Sequence, residues 1–509
     1  MASNVFVIEA PGKRKALAQA LRAAGVRDVH VLATVGHIGT NPQGFKPLGI
    51  DNGYRELAYR LKPERERIAL EIEEAARAAK HVYLATDDDQ EGDVIARDVL
   101  RFCIAEDDRQ KVLRVRLKSL APSEVKAMLA SAAPFDEMSA CRGDARRIVD
   151  RLIGSLSGDE GAVGRVQGSL LLALQEKVPV VGVVTYIASS DDGRGDWIAR
   201  KPVFAGQAVP EGEYLDARLA AGASRSTTLA HRVMNHDEIL LSASLATGRD
   251  VVDVSSAMQD LYERGQMTYP RSRNCAITRE AVRRITAIAR AAGAGFVPER
   301  FSAVREPGGE YGHEAPNPMV LGLPVNRDLP MLPFDEQVLV HLARRLIECG
   351  VPCEVQAPKA GDVAALPEAM RGLSWQRRYS GGAVLWDEAP KAGYQSWTNA
   401  QSLLHFMSKN ELGRPSTVVD HINKFLSRSL VNQAFDLTKK GTEWSAHIGR
   451  LFEHKNLSKL IEEYIEENKK EPSLMVADMI EMCGLSGIST EQHQDFDNES
   501  YEISTGDFP

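Results

Sequence analysis

The chain has 509 residues, 43% hydrophobic and 26% charged, an ordinary balance for globular protein. Its length calls for about three or four domains rather than one core, and no apolar run approaches the roughly 18–20 residues of a membrane span. The net charge of −8 is unevenly placed: residues 461–509 hold thirteen Asp/Glu against two lysines, which leaves the rest mildly basic, so whole-chain charge says little against a polyanionic partner.

In chain order, residues 5–9 read as a strand. It begins so near Met1 that no signal peptide is expected and a cytoplasmic location is the default. Lys13–Ala24 reads as a helix, His81–Thr86 as a second strand, and a helix follows from about Glu91 to Phe102. This β-then-α alternation predicts a parallel sheet with functional residues at the carboxyl ends of its strands. An Arg-rich helix is expected over 141–153 and strands over 180–230, with Gly and Asp turns around 191–195. Mainly helices are expected from about 231. Gly- and Pro-rich stretches at 306–318 and 350–373 read as long loops or boundaries. The acidic 486–509 read as disordered. The six cysteines are scattered; only Cys349 and Cys353 sit close, without the second pair of a zinc ribbon, and a reduced compartment fits them.

Two segments concentrate acids and bases. Asp87, Asp89 and Glu91 alternate just past the second strand, where the chain turns into a helix. Carboxylate oxygens so placed suit a hard cation such as Mg²⁺, held with waters and phosphate. An acidic turn at a helix N-terminus, where negative charge is favoured, would carry the same letters. Glu9, however, ends the first strand in Glu9-Ala-Pro-Gly-Lys13. Adjacent parallel strands would bring Glu9 to the same place, with Lys13 close behind. The pair resembles a Toprim domain, with Asp88, Gln90 and Asp93 where that family commonly has Pro, Arg and Glu.

The segment Leu261-Tyr-Glu-Arg-Gly-Gln-Met-Thr-Tyr-Pro-Arg-Ser272 places Arg271 two residues after Tyr269. A phenol is a weak nucleophile near neutrality, and attack on a phosphodiester needs positive charge at the phosphorus, which a guanidinium supplies bidentately. The segment resembles the active-site motif of type IA DNA topoisomerases, in a form nearest the topoisomerase III branch, with Arg273 where Asp is usual. Ala145-Arg-Arg-Ile-Val-Asp-Arg-Leu-Ile-Gly154, Gly164-Arg-Val-Gln167, His313-Glu-Ala315 (followed by Asn317 for a usual Arg) and Gly413-Arg-Pro-Ser-Thr417 resemble further landmarks of that family, in its order.

The resemblance covers roughly residues 1–450. It implies a multidomain α/β and α protein: a Rossmann-like Toprim domain with helical and strand-rich domains closing a toroid. Toprim would take 1–135, and a helical domain gripping single-stranded DNA 136–180 with 396–485. A strand-rich arch would take 181–230 with 350–395, and the tyrosine domain 231–349. Tyr269, Arg271, Glu9, Lys13 and His313 would be catalytic. Glu9, Asp87, Asp89 and Glu91 would hold Mg²⁺. Arg114, Arg146, Arg147, Asp150, Arg165, Gln167, Arg414, Ser416 and Thr417 would contact DNA. The implied activity is ATP-independent, Mg²⁺-dependent passage of DNA through a single-strand break, by a monomer in the cytoplasm at the nucleoid. No GxxxxGK[ST] motif is present. A Toprim nuclease or primase would share the acids without needing Tyr269, and an inert DNA-binding relative is the third alternative.

Overall fold

The structure is a computed structural model. It describes residues 4–485 except 47, 118–121, 157–163, 194–195, 210–213, 230, 302–312, 380–385, 387–390 and 453. The expected tail, 486–509, lies outside the described residues.

The N-terminal unit is a four-stranded sheet, all parallel, in the order Val29–Ala33, Asn4–Ile8, His81–Leu84, Val112–Arg114. Side chains alternate across a strand, and the first strand is apolar on both faces. Val5 and Val7 pack under the helices Glu66–Ala78 and Gln90–Cys103, against Ile72, Ala76 and Val99. Phe6 and Ile8 pack on the opposite face against Leu17 and Leu21 of Arg14–Ala23 and Val125 of Pro122–Ala130. The first predicted helix starts slightly late, because Pro11–Lys13 forms a 3-10 turn that feeds it.

The Arg-rich helix runs Cys141–Ser155 and is followed by Arg165–Glu176. Two small sheets come next. In one, Val180–Ser190 lies between Gly393–Ser396 and Trp197–Phe204 and also pairs Tyr214–Leu219; in the other, Ala221–Leu229, Pro352–Pro358 and Arg377–Tyr379 are antiparallel. Residues 350–373, expected to be loop, thus contain a strand and the short helices Ala360–Ala364 and Glu368–Arg371. Local composition hid the strand. Its Cys353 and Gln356 are both buried, and the Gln356 amide oxygen accepts from Arg377 Nε at 2.8 Å, which satisfies the buried polar group.

The remaining helices share one large apolar core. Leu240 of His236–Thr247, Leu261 of Val251–Glu263, Leu342 of Phe334–Glu348, Leu403 of Asn399–Lys409, Ile461 of Leu457–Glu467 and Met479 of Pro472–Met482 all belong to it. No helix among the described residues is long and apolar enough to cross a membrane.

Candidate active site

Strand ends place the acids. Glu9 follows the first strand, Asp87 and Asp89 follow His81–Leu84, and these two strands are hydrogen-bonded neighbours. Glu9 Oε1 accepts the Asp87 backbone N–H at 2.9 Å. Asp89 caps the next helix by accepting the Gly92 N–H at 2.7 Å. A β-carbon at Gly92 would overlap the Asp87 carbonyl oxygen and press on Glu9, so glycine lets this helix start sit directly on the acidic loop. Burial, then the nearby Asp87 and Asp89 charges, hold the Glu9 carboxyl well above its usual range despite Lys13.

The motif tyrosine meets these acids. Tyr269 Oη donates to Asp89 Oδ2 at 2.7 Å. Tyr262, one helical turn before the motif's glycine, donates to Asp87 Oδ1 at 3.1 Å, and Lys13 Nζ donates to the same oxygen at 2.8 Å while lying 3.6 Å over the Tyr262 ring. The His313 ring lies against Tyr269 with centroids 4.3 Å apart, and its buried Nε2 has no hydrogen-bond partner among the described residues. Burial and the Asp89 and Asp87 charges raise the Tyr269 phenol well above its usual value, against Arg271. The phenol is therefore held protonated against the acids. Tyr269 and Arg271 stand between two cavities. One, of about 490 Å³, is lined by His313, Arg273, Arg414 and Ser416; the other, of about 230 Å³, by Glu9, Asp87 and Glu263.

Backbone contacts fix the motif. His236 Nδ1 lies 2.8 Å from the Pro270 carbonyl, and the His236 N–H donates to the Ser272 carbonyl at 2.9 Å. Asn317 is fully buried. Its N–H donates to Thr268 Oγ1 at 2.9 Å, and its amide oxygen accepts from Arg284 at 2.8 Å. The residue that replaces a family arginine is thus a brace beside the tyrosine. Arg273 donates to the Gly413 carbonyl, tying the tyrosine motif to the Gly413–Thr417 loop.

Of the residues expected at the metal, Glu9, Asp87 and Asp89 come together and Glu91 turns away. Its Oε1 takes Arg146 at 3.3 Å and Arg414 at 3.2 Å, and its Oε2 lies 3.1 Å from His37 Nε2. Burial would raise its carboxyl, but His37, Arg146 and Arg414 prevail and lower it to about 2. Among the described residues no group of three or more His, Cys, Asp or Glu side chains is arranged as a closed metal cage. The chemistry of Glu9, Asp87 and Asp89 nonetheless suits a hard cation. They are oxygen donors at two neighbouring strand ends, and the Asp87 and Asp89 charges add to burial in pushing Glu9 upward.

The residues expected on DNA divide. Arg165, Gln167, Arg414, Ser416, Thr417, Arg146 and Asp150 line a further cavity of about 340 Å³, which the helix Val418–Ser427 borders along one side with His421 and Lys424. Asp150 sits there as a counter-ion, accepting from Arg165 at 2.7 Å. Arg428, missed in the sequence, donates to Gln167. Two expectations are corrected. Arg114 is buried, binding Asp93 and the carbonyls of Leu84, Thr86 and Asp87, so it braces the acidic loop from beneath. Arg147 faces the N-terminal unit, donating to Glu56 at 2.9 and 2.5 Å and stacking on Tyr59. Arg151, on the same helix, donates to the Leu48 and Pro42 carbonyls.

Comparison with known proteins agrees with this geometry. Residues 4–120 match the Toprim domain family. Over 350 residues the chain is 27% identical to a plasmid DNA topoisomerase I of Xylella fastidiosa, a match covering 62% of this chain and 51% of that protein. Over 185 residues it is 28% identical to DNA topoisomerase 1 of Campylobacter jejuni, covering 35% and 26% respectively. The match thus spans about half the length of the first relative and less of the second. Full-length topoisomerase I of Thermotoga maritima has the same fold, with a TM-score of 0.64 over 96% of this chain and 90% of that one, at 16% identity. The likeness to type IA topoisomerases is therefore borne out in sequence and fold. The named relatives are topoisomerases I, and the topoisomerase III character of the tyrosine motif stays a likeness of that segment alone.

Proposed function

We propose that this chain is a type IA DNA topoisomerase, which cuts one DNA strand through Tyr269, passes DNA through the break and reseals it. One observation carries the reading. The phenol of the Tyr-Pro-Arg-Ser segment is hydrogen-bonded to a Toprim carboxylate 180 residues away in sequence, with Arg271 and the unpartnered His313 Nε2 around it. A nuclease or primase built on the same acids would have no use for that tyrosine.

In this reading single-stranded DNA runs through the two cavities that share Arg414, Ser416 and Glu91, gripped by Arg146, Arg165, Gln167 and Thr417. Tyr269 Oη gives up its proton to Asp89, which accepts its hydrogen bond, and attacks phosphorus; the bond to the 3′ oxygen breaks, and the tyrosine becomes joined to the 5′ phosphate. Arg271 and Lys13 stabilise charge on the phosphoryl oxygens. His313 Nε2 contacts the scissile region, and Glu9 is placed to give a proton to the leaving 3′ oxygen. Mg²⁺ held by Glu9, Asp87 and Asp89 would steady the DNA backbone for resealing. No ATP is required, because supercoil torsion drives relaxation of negatively supercoiled duplex, with decatenation as the related reaction. The four domains would close a ring around DNA, and the protein would act as a monomer in the cytoplasm, at the nucleoid.

The test is pure protein on negatively supercoiled plasmid with Mg²⁺ and without ATP. Stepwise relaxation is expected. Linear fragments would mark a nuclease, and an unchanged plasmid an inert relative.

A further inference from the structure

Three guanidiniums from three separate elements converge beside the tyrosine. Arg146 comes from the helix Cys141–Ser155, Arg165 opens Arg165–Glu176, and Arg414 stands in the loop before Val418–Ser427. All three line one cavity, and Arg414 also lines the cavity that holds Tyr269. Like charges so close repel one another unless a counter-charge gathers them.

Glu462 supplies that charge. It projects from Leu457–Glu467, is about one-twentieth exposed, and is not among the residues lining either cavity. Its Oε2 takes Arg146 Nη2 at 3.0 Å and Arg414 Nε at 3.6 Å, while its Oε1 takes Arg165 Nη1 at 3.0 Å and Arg146 Nε at 3.2 Å. Burial opposes a charge here, yet the three arginines hold the carboxyl well below its ordinary range. On the cavity side, Arg146 and Arg414 meet Glu91 instead. Arg146 and Arg414 therefore lie between Glu462 behind them and Glu91 in front, and Arg165 lies between Glu462 and Asp150. An incoming anion would compete with Glu91 and leave Glu462 untouched.

We infer that Glu462 is a positioning residue that sets Arg146, Arg165 and Arg414 as one cradle for a backbone phosphate of the bound strand, next to the phosphate that Tyr269 attacks. The inference rests on the strand-cleavage reading above. Arginine side chains are long and lose much rotamer freedom when they bind; a carboxylate behind them removes that loss in advance. Because cleavage depends on the register of the strand at Tyr269, a small displacement of the cradle acts on the chemical step more than on binding.

The test uses the full chain and a labelled single-stranded oligonucleotide that the wild type cleaves, followed by single-turnover adduct formation at saturating DNA, with affinity measured separately. Glu462→Gln keeps shape and removes charge. Its gain of one positive charge opposes any loss of affinity, so binding within about threefold of wild type, or tighter, is expected. The cleavage rate at saturation should fall tenfold or more. Glu462→Asp keeps the charge and should recover a rate between the two. A Gln variant that cleaves within twofold of wild type, whatever its melting temperature, overturns the inference and assigns Glu462 to stability alone. If the Gln variant does not fold, the Asp variant decides: its shortened reach should still slow cleavage several-fold, and a wild-type rate overturns the inference. A wild type that forms no adduct on any oligonucleotide would instead overturn the cleavage reading on which this rests.

Discussion

The Toprim unit meets the rest of the molecule along two seams built differently. Against the tyrosine segment its contacts are polar and aromatic: Tyr269 to Asp89, Tyr262 to Asp87, and Lys13 over the Tyr262 ring. No residue of that segment joins the two apolar clusters of the Toprim sheet. Against the helix Cys141–Ser155 the seam is dense. Leu48 and Ile50 enter the large helical core, Phe45 abuts Gly154, Arg147 clasps Glu56, and Arg97 pairs with Asp144. A few hydrogen bonds each contribute only about 1 kcal/mol net, whereas buried apolar area and enclosed ion pairs are costly to separate. The first seam is therefore built to part and the second to hold. The proposed strand passage calls for that asymmetry, since a break made by Tyr269 would open where the tyrosine leaves the acids.

The largest effect should come from Tyr269→Phe. It removes one hydrogen bond to Asp89, about 1 kcal/mol of stability, and the nucleophile itself. Folding and DNA binding should survive, and the covalent complex should vanish. In the wild type a denaturant quench should trap protein only on fragments labelled 3′ of the cut. An adduct in the Phe variant would move the chemistry elsewhere, and protein on a 3′ phosphate would refute the type IA reading.

Next comes the acid pair. Asp87→Ala with Asp89→Ala should abolish relaxation, but it should not leave stability intact, as the motif alone would suggest. Lys13 is almost wholly buried on Asp87, and stranding such a charge costs about 3–5 kcal/mol. The Asn pair should lose relaxation equally and melt closer to wild type. Normal Mg²⁺-dependent relaxation by the Asn pair would remove the metal assignment.

The holding seam has its own probe. Glu56→Gln weakens the Arg147 clasp and should cost about 2–3 kcal/mol of stability, while cleavage of a short oligonucleotide stays within about threefold. Burial would raise the Glu56 carboxyl, but the Arg147 hydrogen bond and charge prevail and lower it. A depressed carboxyl stabilises fully above its unfolded value near 4.5 and loses that contribution as pH falls through the lower folded value. Wild type and variant should therefore converge in melting temperature as pH falls below about 4.5 toward the lower folded value. A gap that persists there would mean the clasp is not the source.

What the sequence disclosed follows from how local each signal is. Glu9, Asp87, Asp89 and Tyr269 lie in short motifs, and the structure brings the four together. The β-then-α alternation announces the parallel sheet. Arg114 was misread because an arginine on a short strand looks the same whether it faces DNA or braces buried carbonyls. Arg147 was misread because its partner Glu56 lies 91 residues away. Glu462 carries no motif at all, and its meaning exists only where three distant arginines arrive. Tyr262 was quoted within the motif but given no role, since its target Asp87 is on another domain.

The smallest effect tests the parting seam directly. Tyr262→Phe deletes one hydroxyl, its hydrogen bond to Asp87 and little else, because the ring can still lie under Lys13 and edge-on to Tyr269. A net loss of about 1 kcal/mol on the closed side shifts a closed–open equilibrium roughly fivefold toward open. Where opening limits strand passage, relaxation of supercoiled plasmid should speed up two- to fivefold, while adduct formation on a short oligonucleotide, which needs no opening, stays within twofold. Glu56→Gln, on the other seam, should give no such acceleration. Equal relaxation by the Tyr262 variant and the wild type would mean that the seam does not limit passage. A matching gain in the Glu56 variant would mean that the two seams are not, after all, divided between parting and holding.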